Sequence, residues 1–375
     1  MTQLDTVLTE ELSAGKIAQL EQYINDDNFY EYIKLIKNNA DIKQLAHNNS
    51  KFDEFFATHG LSNLNFGRNN SAKDSFIKLF AENDNVDNLI KVIEDNGVVS
   101  ISELKESGNI FTYCKNFYEE ARTLATWVNS KSTSSGLCEI LLKFILKDLK
   151  NNTEGDIQLN NLKFIEVKAS TIGKNASGGH PCGQKTNNDL KIKGAWSIYK
   201  YLNANLFSIK SKSSYTEYKY FQNKTGFDEF IYLVNNDNNI NIDDVAHSIV
   251  NAILFQYNFI TSIDASLSSN PSEAKKLYAS AERFLKNNPL DFSTILQLIG
   301  AIQLYLYYKI EKFSYLIFVM IDKFGNSPNS GNYWLIRDCE NTLLNFDEVS
   351  KRIKFGVLDS PVSNHGRTGK MFLKA

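Results

Sequence analysis

Three residues in the segment 155-GDIQLNNLKFIEVKAS-170 could do chemistry together: Asp156, Glu166 and Lys168. Apolar and polar residues alternate on either side of Asn160-Asn161, the pattern of two strands joined by a tight turn. Period two puts Phe164, Glu166 and Lys168 on one face of the second strand, and Ile165, Val167 and Ala169 on the other. On the first strand Asp156, Gln158 and Asn160 alternate with Ile157 and Leu159. A three-residue loop at 160–162 would set Asp156 directly across from Glu166. A two-residue turn would put them on opposite faces unless a bulge shifts the register. Asn tolerates the φ > 0 such loops use. Two facing carboxylates repel, and a hard cation between them relieves the repulsion. Mg²⁺ (or Mn²⁺) takes one or two carboxylates and completes its shell with waters and phosphate oxygens. Lys168 beside it could orient or help deprotonate an attacking water and stabilise charge on a phosphate. The chemistry implied is metal-assisted phosphodiester hydrolysis with one or two ions. The plainer reading is an exposed strand face with cross-strand charge pairing, worth under ~1 kcal/mol.

Spacing alone is a weak signal, because Glu-x-Lys occurs four times in the chain. Asp95 precedes Glu103-Leu104-Lys105, and Asp264 precedes Glu273-Ala274-Lys275. Ser100-Ile101-Ser102-Glu103 reads as a capping box, and Pro271-Ser272-Glu273 as a helix start. Residues i and i+2 of a helix do not share a face, so neither set can present Glu and Lys side by side. Glu217-Tyr218-Lys219 has no Asp within reach upstream.

A nearly all-apolar helix is predicted over 137–150, and Glu139 is out of place near its start. If that end abuts the hairpin, Glu139 could hold a second metal or a metal-bound water. The plainer reading pairs it with Lys143 at i+4. The order Gly136-x-x-Glu139, Gly155-Asp156 and Glu166-Val167-Lys168 resembles the PD-(D/E)XK (restriction-endonuclease-like) nuclease superfamily, phage-encoded type. Where the family carries Pro before the Asp, this chain has Gly155. The resemblance covers 130–185 directly. It implies metal binding by Asp156 and Glu166, a catalytic role for Lys168 and a supporting one for Glu139. It also implies an αβββαβ core completed by a helix at 292–310 and a strand at 314–322. Some members carry a downstream Gln near the site, which Gln184 would match.

Substrate contacts are expected beyond this set. His180, in the Gly-rich loop 173-GKNASGGHPCGQ-184, could touch a substrate phosphate. As a zinc ligand with Cys182 it lacks matching partners elsewhere. Residues 185–224 hold eight lysines, among them Lys185, Lys191 and Lys193, with Trp196 and several Tyr and Phe. That mixture suits backbone gripping and base stacking, and it equally suits a solvated domain face. Lysine rather than arginine points to phosphate contact without base reading. The stretch 366-GRTGK-370 lacks the Gly a phosphate loop requires at position 364.

The elements that must position these residues fall into an α/β order. Residues 1–128 read as an acidic α-helical domain, with helices at 9–24, 27–36, 71–80, 86–94 and 117–128. The break 129-NSKSTSSG-136 opens a nuclease core of 129–186 and 287–340. A lysine- and aromatic-rich mixed insertion, 187–286, interrupts it, with helices at 243–258 and 271–286. A strand at Tyr333 to Arg337 follows, then a polar tail, 341–375. Residues 1–129 carry 12 Lys+Arg against 20 Asp+Glu; the remainder carries 29 against 23. Any nucleic-acid contact therefore belongs to the second part, and the acidic first part could bind a protein partner, though no residue pattern names one. The four cysteines are far apart and form no CxxC pair, as in reduced cytosolic proteins. The N-terminus is no signal peptide, and no apolar run reaches the ~20 residues of a spanning helix. The expectation is thus a cytoplasmic, phage- or mobile-element-encoded endonuclease acting on DNA, with RNA left open as substrate. Two cuts in a duplex would favour a homodimer. The alternative is a catalytically idle nuclease fold serving as a DNA-binding or virion-structural component.

Overall fold

The fold is that of a computed structural model. It describes residues 99–110, 156–159, 163–172, 241–260, 271–322, 328–355 and 370–374, with Gly15, Ala18, seven positions within 138–150, and His180–Pro181. The helices expected at 27–36, 71–80, 86–94 and 117–128 lie outside the described residues. Within 9–24 only Gly15 and Ala18 are described, and both are helical. The chain is mixed α/β and divides into two compact units, Met1–Gly178 with Phe313–Arg337 and Gly179–Lys312 with Asp338–Ala375. None of the helices among the described residues is long and apolar enough to cross a membrane.

The first unit is built on a six-stranded mixed sheet. Its strands are β1 (Ser107–Asn109), β2 (Leu149–Lys150), β3 (Ile157–Leu159), β4 (Phe164–Ile172), β6 (Tyr315–Asp322) and β7 (Asn332–Ile336), in the order β1-β7-β6-β4-β3-β2. β2, β3 and β4 form an antiparallel meander, β4 pairs with β6 in parallel, and β7 and β1 close the other side antiparallel. The strand expected over 314–322 is β6, and the one expected at 333–337 is β7. Leu316, Ile317, Phe318, Val319 and Met320 are buried in succession, so β6 is covered on both faces, as its unbroken apolar run requires. Phe318 stands opposite Trp334, and their rings stack with centroids 6.2 Å apart.

Two expectations are corrected in this unit. The helix predicted over 137–150 is shorter: Cys138, Glu139, Leu142 and Ile145 are helical, but Leu149 and Lys150 belong to β2. An all-apolar run cannot by itself distinguish a buried helix from a buried strand, and pairing with β3 captures its last residues. The capping box at Ser100 forms its hydrogen bonds, with the Ser100 amide donating to Glu103 Oε2 at 2.5 Å, yet 101–103 is a turn and 104–109 is not helical. Tertiary contacts win there. The Val99 amide donates to the Ile145 carbonyl at 2.8 Å, and Arg337 donates to the carbonyls of Ile101, Ser102 and Leu104. Those bonds leave 107–109 extended along the free edge of β7 as β1.

The second unit holds helices α1 (Ile242–Ile260), α2 (Pro271–Asn287) and α3 (Phe292–Glu311), with the short helices α4 (Cys339–Leu344) and α5 (Phe346–Arg352). The first three match the predicted helices to within two residues. α3 starts where the Asp291 carboxylate accepts the Thr294 amide at 2.8 Å, and stops at Lys312, which adopts φ 56°. Its residues from Leu298 to Tyr307 are all buried, so it is an internal helix. Gly300 lies directly beneath the Phe355 ring. The segment 341–375, expected as a polar tail, carries α5, strands β8 (Ile353–Phe355) and β9 (Lys370–Leu373), and most of α4. Asp338 and Asn345 cap the two helices by accepting the amides of Asn341 and Glu348. β9 pairs with β8 and with β5 (His180–Pro181) in a three-stranded sheet.

A polar network ties α2, α3 and α4 together. The buried Tyr305 hydroxyl donates to Glu273 Oε2 at 2.6 Å and to Glu340 Oε1 at 3.1 Å. Lys276 and Lys309 each reach both carboxylates, at 2.7 to 3.4 Å. Two acids, two bases and one hydroxyl thus satisfy one another, which is what partly buried charges need.

Candidate functional site

The hairpin decides whether Asp156 and Glu166 meet. Ile157 pairs with Ile165, Gln158 with Phe164, and the Leu159 amide donates to the Lys163 carbonyl at 2.8 Å. This is the register a three-residue connection at 160–162 produces. The ladder ends at Ile157, and Asp156, the bend residue just before β3, comes within hydrogen-bonding reach of Glu166. Directly opposed residues share a face. The face therefore carries Gln158 on β3, Phe164, Glu166 and Lys168 on β4, and Leu316 and Phe318 at the paired positions of β6, with Asp156 at the entrance to β3.

The apolar β6 neighbours explain why this acid face is dry. Glu166 is 4% exposed, an unusual position for a carboxylate without a partner. Its partner is Lys168, whose ammonium contacts Glu166 Oε1. Asp156 Oδ2 accepts the Val167 amide at 2.7 Å, and its carboxyl lies within hydrogen-bonding reach of Glu166. Burial, and then the Glu166 charge, push the Asp156 carboxyl up to about 6. For Lys168 burial works against the ammonium, but the charges of Glu166, Asp156 and Glu139 outweigh it and hold the amine above its ordinary value. Lys168 is thus a cation at neutral pH.

Glu139 is helical, as are Cys138, Leu142 and Ile145, and those three are buried. Glu139 is half-buried and close enough to Lys168 for their charges to interact. Among the described residues, no group of three or more His, Cys, Asp or Glu side chains is arranged as a metal cage. A facing pair of carboxylates meets the needs of Mg²⁺ without a third, because waters and phosphate oxygens complete its shell. The chemistry of the donor pair fits as well. Two carboxylates set side by side in a half-dry site repel each other, and a divalent cation between them relieves that repulsion.

Of the expected substrate contacts, Gln184, Lys185, Lys191 and Lys193 lie outside the described residues. His180 stands on β5, opposite Met371, in the second unit. Leu316 and Phe318 were not foreseen as neighbours of the acids. About 150 residues separate them from β4, and no local pattern announces which strand will lie beside it. No protein-family model matches the chain, and neither a curated protein nor a solved structure matches it.

Proposed function

We propose that this chain is a divalent-metal-dependent nuclease that hydrolyses phosphodiester bonds, with DNA as its substrate, built on a restriction-endonuclease-like αβββαβ core. The observation that carries the reading is the Asp156 carboxyl within hydrogen-bonding reach of Glu166, with Lys168 paired to Glu166 on the same face. The strand order supports the core: a helical stretch, the β2-β3-β4 meander, a crossover containing α3, then β6 parallel to β4.

Asp156 and Glu166 would hold the ion. A bound Mg²⁺ or Mn²⁺ supplies positive charge to a phosphate oxygen and lowers the pKa of water. Val167 fixes the Asp156 carboxylate through its amide, so this ligand is oriented before any ion arrives. Lys168, kept protonated by three carboxylates, suits stabilising negative charge on the phosphate and orienting water, not accepting a proton. Glu139 would hold the Lys168 ammonium from the helix side. The dry face formed by Leu316 and Phe318 strengthens each of these charge interactions.

The test is incubation of wild type and Lys168→Ala with supercoiled plasmid, linear duplex, single-stranded DNA and RNA, in Mg²⁺, Mn²⁺ or EDTA. Metal-dependent cutting that the variant loses is the expected result. A folded wild type that cuts none of them would overturn the reading in favour of a DNA-binding or structural component.

A further inference from the structure

The rung next to the acids is unusual in its own right. Gln158 lies opposite Phe164 on the face that carries Glu166. Gln158 is 9% exposed, and its flanking residues Ile157 and Leu159 are 2% exposed. On its other side Gln158 pairs with Lys150 of β2, and its amide is not one of the buried polar groups left without a hydrogen-bond partner among the described residues. Phe164 is half-buried. On the β6 side its neighbour is Ser314, whose amide donates to the Phe164 carbonyl at 2.9 Å and whose side chain is too small to cover a ring. The rung lies two residues along the chain from each acid, a distance of about 7 Å. That is the reach of the neighbouring nucleotide unit.

We propose that Gln158 and Phe164 form a subsite for the base of the nucleotide adjacent to the phosphate held at Asp156 and Glu166; this rests on the nuclease reading. The ring supplies a stacking platform, which accepts any base because every base has a π-face. The amide carries both donors and an acceptor, so it can pair with a base edge of either polarity. The subsite thus positions the strand without strict sequence choice.

The test compares wild type with Phe164→Leu, Gln158→Leu and Phe164→Trp on single-stranded oligonucleotides, intact or abasic beside the mapped cut. Phe164→Leu should lower kcat/KM about tenfold on the intact strand. It should change little on the abasic one, and Phe164→Trp should retain activity. A second readout uses an oligonucleotide with alternating 2-aminopurines in Ca²⁺. Wild type should quench its fluorescence by stacking, and Phe164→Leu should not. Cleavage and quenching that both substitutions leave unchanged, or equal losses on intact and abasic strands, overturn the subsite and leave the nuclease reading standing. A wild type that neither cuts nor quenches overturns both.

Discussion

Asp156 leads into one strand of the hairpin, yet its carboxylate is held by the backbone of the other: Oδ2 accepts the Val167 amide at 2.7 Å. Val167 sits between Glu166 and Lys168, so the three chemical groups are locked to one another through a single residue of β4. The register could not slip by one position without moving Asp156 to the opposite face.

Lys168 and a metal compete for Glu166, because the ammonium already contacts that carboxylate. Lys168→Met should therefore lower the cleavage rate about 100-fold or more, as loss of a charge-stabilising donor does. It should leave metal binding as tight as in wild type or tighter. Rates measured alongside calorimetric Mn²⁺ titration check this; a variant that no longer binds Mn²⁺ would place Lys168 in a structural role.

Asp156 sets a pH dependence on the metal-free protein. Its carboxyl is raised to about 6 when folded, while an unfolded Asp lies near ~3.9. Between those values the native state holds more protons than the unfolded one, so stability falls as pH rises through the window. Asp156→Asn removes this loss. The variant should gain Tm over wild type at pH 8 and little at pH 4, while Mn²⁺ should stabilise only the wild type. Thermal unfolding at both pH values decides it; an equal difference at pH 4 and 8 contradicts the perturbed carboxyl.

In the second unit the pH dependence has the opposite sign. Burial works against the charges of Glu273 and Glu340. The Tyr305 hydroxyl, Lys276 and Lys309 outweigh it for Glu273, and Lys276, Lys309 and Tyr305 do so for Glu340, holding both carboxyls below their ordinary values. Their contribution is fully present above the unfolded value of about 4.3 and is lost as pH falls through the folded values. Tyr305→Phe should cost about 1–3 kcal/mol at pH 7 and less at pH 3. Urea unfolding of the two proteins at both pH values measures it.

Gly300 is required by packing. A Cβ there would overlap the Phe355 ring, which is 3% exposed and has little room to move. Gly300→Ala should destabilise by about 1–3 kcal/mol despite its better helix propensity, and Gly300→Ala with Phe355→Leu should recover part of the loss. Chemical denaturation of the single and double variants gives both numbers.

What the sequence determined by itself is local. Period two places Glu166 and Lys168 on one face of a strand, and Pro271-Ser272-Glu273 starts a helix. These follow from alternation, turn chemistry and capping, which act within a few residues. Tertiary structure decided the remainder. Whether Asp156 met Glu166 depended on a loop length the paired asparagines left open; the register up to Ile157 and the Val167 amide bring the two carboxyls together. The apolar run at 137–150 suited helix and strand alike until β3 took its end as β2. The capping box at Ser100 made its bonds and still lost its helix, because Arg337 and Ile145 hold that segment as a turn. Most of all, the dryness of the acid face comes from Leu316 and Phe318, placed beside β4 by a parallel crossover. Parallel pairing joins residues far apart in the chain, so no short-range pattern can carry that information.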